Sequence, residues 1–175
     1  MSTALKMKSD AKRTGGPPPL PRLEKPPFLP DDSSGSSKNP PSESPGRNRS
    51  ILIVDDNEVV LKAFELKLKA SGFTVTTTSN ATDVARAADT ARAELIILDV
   101  NFPSLNGPEW SGYTILQWLR RFPEVARIPV VLISGEDAAK HKDKALAEGA
   151  VAYFQKPMDY QELLATILRT LGIQE

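Results

Sequence analysis

Two short apolar runs in this chain, Ile51–Val54 and Leu95–Leu98, each stop abruptly at aspartate. Runs this short, bounded by polar breaks and rich in Ile, Leu and Val, read as strands buried in a parallel sheet rather than as helices. In an open parallel sheet, ligands bind beyond the carboxyl ends of the strands. Asp55, Asp56 and Asp99 are therefore expected to meet at one sheet edge. Lys156 ends a third such string, Tyr153–Pro157 (YFQKP), and brings a positive charge to the same edge. Such a group of residues suits a divalent cation and a phosphoryl group.

After Arg49, strand and helix alternate five times. Ile51–Val54, Phe73–Thr78, Glu94–Leu98, Ile128–Ile133 and Val151–Phe154 read as strands. Glu58–Ala70, Ala81–Ala93, Tyr113–Arg121 and Glu136–Glu148 read as helices, the first ended by Gly72 and the fourth by Gly149. A fifth helix opens at Asp159 as N-cap, with Glu162 at capping-box spacing. The inner faces are expected to be Val60, Phe64 and Leu68 in the first helix and Ile115, Leu116 and Leu119 in the third. In the fifth, Tyr160, Leu163, Leu164, Ile167, Leu168 and Leu171 form the stripe. Right-handed crossovers then favour an α/β doubly wound parallel sheet with helices on both faces and strand order 2-1-3-4-5. In that order the first and third strands, the two that end in acids, flank the switch point.

The rest of the chain differs in kind. Residues 1–48 hold ten of the fifteen prolines, and stretches such as Gly16–Pro21 cannot bury enough apolar surface to offset chain entropy. This part is expected to be a disordered Pro/Ser-rich tail, and 49–175 a single folded domain. Pro18, Pro21 and Arg22 form a candidate ligand for proline-binding modules, against the plainer reading of a solvated tether. The tail carries eight Lys/Arg against five Asp/Glu, and the domain fourteen against seventeen, so neither has the basic surplus of a nucleic-acid-binding domain. With no cysteine, disulfides, thiolate zinc sites and cysteine nucleophiles are excluded. No secretory signal opens the chain, and no apolar run approaches the ~20 residues that cross a bilayer. The expected location is cytoplasmic.

Three carboxylates do not gather without reason. Two unit charges 4 Å apart at a protein surface repel by roughly 4 kcal/mol at an effective dielectric near 20. A cation relieves this, and oxygen-only ligands with room for water suit Mg²⁺ (or Mn²⁺). One carboxylate can then act as a nucleophile toward phosphorus. Lys156 supplies charge for the phosphoryl oxygens, and Ser134, at the end of the fourth strand, supplies a hydroxyl. Each residue alone has a plainer explanation, since adjacent acids cap helices and serines make turns. The weight comes from all of them falling at strand ends in one order. His141, with no partner at metal-ligand spacing, reads as a surface residue.

On these residues the domain resembles the receiver domains of two-component response regulators, flavodoxin-like in fold. The resemblance rests on Asp55–Asp56, Asp99, Ser134 and Lys156–Pro157, and covers residues 50–175. It implies that Asp99 is the phosphoacceptor, Asp56 a direct Mg²⁺ ligand, and Asp55 an assistant acting through water. The backbone carbonyl of Asn101 would complete the metal shell. Ser134 would bond the phosphoryl group, Lys156 would pair with it across a cis Lys156–Pro157 bond, and Tyr153 would be the aromatic switch. Asn101 and Glu136, beside the site, would tune hydrolysis by positioning water. The implied activity is acceptance of a phosphoryl group from a histidine kinase or histidine phosphotransfer protein, not enzymatic turnover of a separate substrate. Output is expected through a downstream protein at the surface of the fourth helix, fifth strand and fifth helix, because no DNA-binding segment follows the last helix. A monomer or a phosphorylation-dependent dimer would suit that use.

One stretch departs from the family. A Pro-x-x-x-Gly segment usually follows the phosphoacceptor, and here Pro103 with Gly107 fits it, while Pro108 with Gly112 fits it again. The sequence leaves open which copy is the extra one. Trp110 sits in the lengthened loop, which either alters access to the site or is a tolerated insertion. Two other classes compete. A haloacid-dehalogenase-like phosphohydrolase would want a second aspartate where Asn101 stands, and an FMN-binding protein would want a Ser/Thr/Gly-rich first loop where Asp55–Asp56 stand. A pseudo-receiver is disfavoured because every essential side chain is present.

Overall fold

The computed structural model describes residues 48–102 and 111–173. The tail expected over 1–48, Asn48 apart, lies outside the described residues, as do Pro103, Gly107, Pro108 and Trp110. The ordered elements are β1 (Ser50–Val54), α1 (Glu58–Ala70), β2 (Thr74–Thr78), α2 (Val84–Thr90) and β3 (Leu95–Asp99). They continue with α3 (Gly112–Leu119), β4 (Val130–Ser134), α4 (Ala138–Ala147), β5 (Ala152–Gln155) and α5 (Tyr160–Thr170). All strand pairs are parallel, and the order is β2-β1-β3-β4-β5, as the alternation of elements predicts.

The sheet is covered on both faces. Ile51, Ile53, Leu95, Ile97, Val131 and Ile133 point to one face and pack with Leu61 and Leu68 of α1 and Leu163, Ile167 and Leu168 of α5. The alternate residues Leu52, Val54, Ile96, Leu98, Val130 and Leu132 are equally buried, as strand alternation requires when helices cover the second face too. Burial of this kind stabilises by about 1.5–3 kcal/mol per large aliphatic side chain. It fixes the strands so that their polar ends have one place to go.

Caps hold the helices in register with the strand ends. The side chains of Asn57, Ser111, Asp137 and Asp159 accept backbone N–H groups at the starts of α1, α3, α4 and α5. Gly72 and Gly149, with φ of 90° and 95°, take the left-handed turns that end α1 and α4.

Two expectations need correction. The helix predicted over Ala81–Ala93 is a short 3-10 turn, Ala81–Asp83, followed by only seven α-helical residues. Asn80 caps the 3-10 turn, and Arg92, at φ 48°, ends α2 with bonds from Arg92 N to Asp89 O and from Ala93 N to Ala88 O. That stop has no glycine to announce it. In α1 Leu61, which the expected face omitted, is buried with Leu68, while Phe64 packs partly buried on the same core and Val60 is partly buried beside α5.

Candidate functional site

Strand register sets the site. Val54 pairs with Leu98, so Asp55 and Asp99 follow at the same level on adjacent strands. Asp99 pairs with Ile133, and Ser134 with Gln155, so Ser134 and then Lys156 extend the edge stepwise. Asp55, Asp56 and Asp99 each present a carboxylate oxygen, all within 4.8 Å of one another. Asp55 and Asp99 are 1 % and 5 % exposed, whereas Asp56 faces solvent.

Lys156 holds the two buried acids. Its Nζ lies 2.8 Å from Asp55 Oδ2 and 3.2 Å from Asp99 Oδ2. The other oxygen of Asp55 accepts the Asn57 N–H at 2.9 Å, and Asn101 N–H points at Asp99 Oδ1 from 3.4 Å. Burial pushes the Asp99 carboxyl above its ordinary value, against the pull of Lys156 and with the help of Asp55. Burial also works against the Lys156 charge, but the Asp55 and Asp99 carboxylates outweigh it and raise that pKa.

The second half of the site is a hydrogen-bonded chain. Ser134, fully buried, accepts the Glu136 N–H on its Oγ at 3.1 Å, and its carbonyl accepts the Lys156 N–H at 2.7 Å. Tyr153 is 5 % exposed and donates its hydroxyl to the Glu136 carbonyl at 3.1 Å. The Lys156–Pro157 bond is cis, as the resemblance implied. His141 lies at the surface, half-buried, with Nε2 3.2 Å from Glu136 Oε2.

The lengthened loop leaves and returns at one point. Asn101 and Ser111 form an isolated antiparallel bridge, and Gly112 N–H donates to Val100 O at 2.8 Å. Gly112, not Gly107, opens α3, so the second of the two spacing copies leads into the helix.

The donor set fits Mg²⁺. Every candidate ligand is a hard oxygen, and three carboxylates against one ammonium leave the charge a divalent cation balances.

Two residues that tie the framework together, one beside the site and one at the opposite edge of the sheet, do not stand out in the sequence. Gln155 accepts the Ala138 N–H at 3.1 Å and so ties β5 to the start of α4. Arg120 donates to the carbonyls of Ala126, Ile128 and Gly149 at 2.6, 3.0 and 3.1 Å, clamping the approach to β4 and the end of α4. Neither stands in a motif; only the folded chain brings their partners near.

Fold and pocket together are those of a signalling receiver. The chain belongs to the response regulator receiver domain family, which residues 51–168 match. An aspartyl phosphoacceptor and Mg²⁺ binding at the acidic pocket are general to that family. The chain is 30 % identical over 124 residues to the polar-differentiation response regulator DivK of Brucella anthropi, covering 71 % of this chain and 97 % of DivK. It is 36 % identical over 121 residues to YkoG of Bacillus subtilis, an uncharacterized transcriptional regulatory protein, covering 69 % of this chain and 50 % of YkoG. It thus spans about half the length of the transcriptional regulators it matches. Among solved structures, the chemotaxis protein CheY4 of Vibrio cholerae superposes with a TM-score of 0.62 at 25 % identity, over 70 % of this chain and 98 % of that one. The receiver domain of a sensor histidine kinase from Pseudomonas aeruginosa, with a magnesium ion in its active-site cleft, gives 0.61 at 26 % identity, over 71 % and 98 %. Among the described residues, no helix is long and apolar enough to cross a membrane.

Proposed function

We propose that residues 49–175 form a phosphoacceptor in which Asp99 takes a phosphoryl group from a phosphohistidine of a kinase or phosphotransfer protein. The observation that carries this reading is the position of Asp99. It is a buried carboxylate at the end of β3, 3.2 Å from Lys156 and gathered with Asp55 and Asp56.

An Asp99 oxygen attacks phosphorus, the P–N bond to the donor breaks, and the imidazole leaves with its electron pair. Asp55, Asp56 and the Asn101 carbonyl would hold Mg²⁺, which when bound neutralises the acids and the phosphoryl oxygens. Lys156, already beside Asp99, would pair with a phosphoryl oxygen. Ser134 would turn its hydroxyl from the Glu136 N–H toward the phosphoryl group. Tyr153 is bonded to the same residue and would respond, biasing the surface of α4, β5 and α5 between two states. Asn101 and Glu136 flank the site and would position the water that hydrolyses the acyl phosphate. The exchange would take place in the cytoplasm, with output through a protein partner rather than through nucleic acid.

The test is incubation with acetyl phosphate and Mg²⁺, followed by intact-protein mass measurement. One phosphoryl group should be gained by the native chain and none by Asp99→Asn. Equal labelling of that variant would overturn the assignment.

A further inference from the structure

We propose that Gly112 is a positioning residue for Asp99, holding the start of α3 against the Asp99–Val100 backbone so that the carboxylate and the Asn101 carbonyl face one pocket. This rests on the phosphoacceptor reading above. Gly112 is buried, and its φ lies outside the left-handed region, so turn geometry does not account for the missing side chain. Close approach does. A Cβ at residue 112 would lie 2.5 Å from Asp99 O, 2.7 Å from Val100 Cα and 3.1 Å from Asp99 C. All three are main-chain atoms, so none can rotate away as a side chain would.

The contact is fastened on two sides. Gly112 N–H bonds Val100 O at 2.8 Å, and Ser111 pairs with Asn101. A methyl group at residue 112 must therefore push either α3 or the Asp99 peptide by about 1 Å, a misplacement that costs on the order of 100-fold in a positioned reaction. Among the described residues, Asn101 and Ser111 close the loop by their bridge, and Gly112 is the glycine that meets the Asp99 peptide.

Three variants of the full chain decide this: Gly112→Ala, Gly107→Ala and deletion of residues 103–107. Each is measured for Mg²⁺ affinity by calorimetry, amide shifts of Asp99 and Asn101 by NMR, thermal melting and initial labelling rate with acetyl phosphate. Gly112→Ala should move those two amide shifts, weaken Mg²⁺ binding by about 10-fold or more and slow labelling by about 100-fold. Gly107→Ala and the deletion should keep the native Mg²⁺ affinity and labelling rate. A Gly112→Ala chain that melts lower but binds Mg²⁺ as the native chain does would overturn the proposal, since only a structural role would then remain. Loss of Mg²⁺ affinity in folded Gly107→Ala or in the folded deletion chain would also overturn it. If Gly112→Ala does not fold, the deletion chain decides alone. A native chain that binds Mg²⁺ but is never labelled would sink the phosphoacceptor reading and leave the affinity and shift comparisons standing.

Discussion

The Lys156 ammonium lies 2.8 Å from the Asp55 carboxylate, of which only 1 % of the side chain is exposed. Lys156 thus serves the fold before any phosphoryl group arrives. Lys156→Met leaves a buried charge without its counter-ion, and the native state should lose about 1–3 kcal/mol, read from the urea midpoint. Added Mg²⁺ should restore part of that loss. An unchanged midpoint would show that Asp55 does not depend on the pair.

Asp99 pulls the other way. Its carboxyl is raised above the ordinary 3.8 chiefly by burial, so its contribution favours the folded chain below the unfolded value and is lost as pH rises through the folded one. Without metal, Asp99→Asn should therefore melt higher than the native chain at neutral pH. A few degrees is expected, the shift that about 1 kcal/mol produces in a domain of this size. The gap should close on acidification below the ordinary aspartate value. Calorimetric scans across pH test it, and a variant that melts lower at neutral pH would contradict the burial argument.

Arg120 should not be replaceable by lysine. Its guanidinium reaches three backbone carbonyls on two segments, a fork that one ammonium cannot copy. Arg120→Lys should cost about 1–3 kcal/mol by denaturant titration, and Arg120→Ala at least as much.

Tyr153→Phe removes one hydrogen bond and keeps the ring. The loss should be about 0.5–1.5 kcal/mol in stability, with the native rate of labelling by acetyl phosphate. A fall in labelling would mean that the Tyr153 hydroxyl acts on the chemistry and not only on the loop that carries Glu136.

The sheet order and the acid pocket were legible because both follow from short-range patterns. A four-residue Ile/Leu/Val run can hardly be anything but a buried strand, and an acid directly after it must emerge at the sheet's carboxyl edge. Legibility failed where the cause was a distant contact. Nothing local marks Gly112 as the glycine of a close contact; the Asp99 carbonyl does, thirteen residues away. The end of α2 was missed for a related reason, since Arg92 takes a left-handed conformation that sequence associates with glycine.

Glu136 joins Ser134 to Tyr153 entirely through its main chain, its N–H to one and its carbonyl to the other. No particular side chain is needed at residue 136 for the two hydroxyls to stay connected. Substitution at position 136 therefore changes what its side chain meets, such as His141, and leaves the main-chain path from Ser134 to Tyr153 in place.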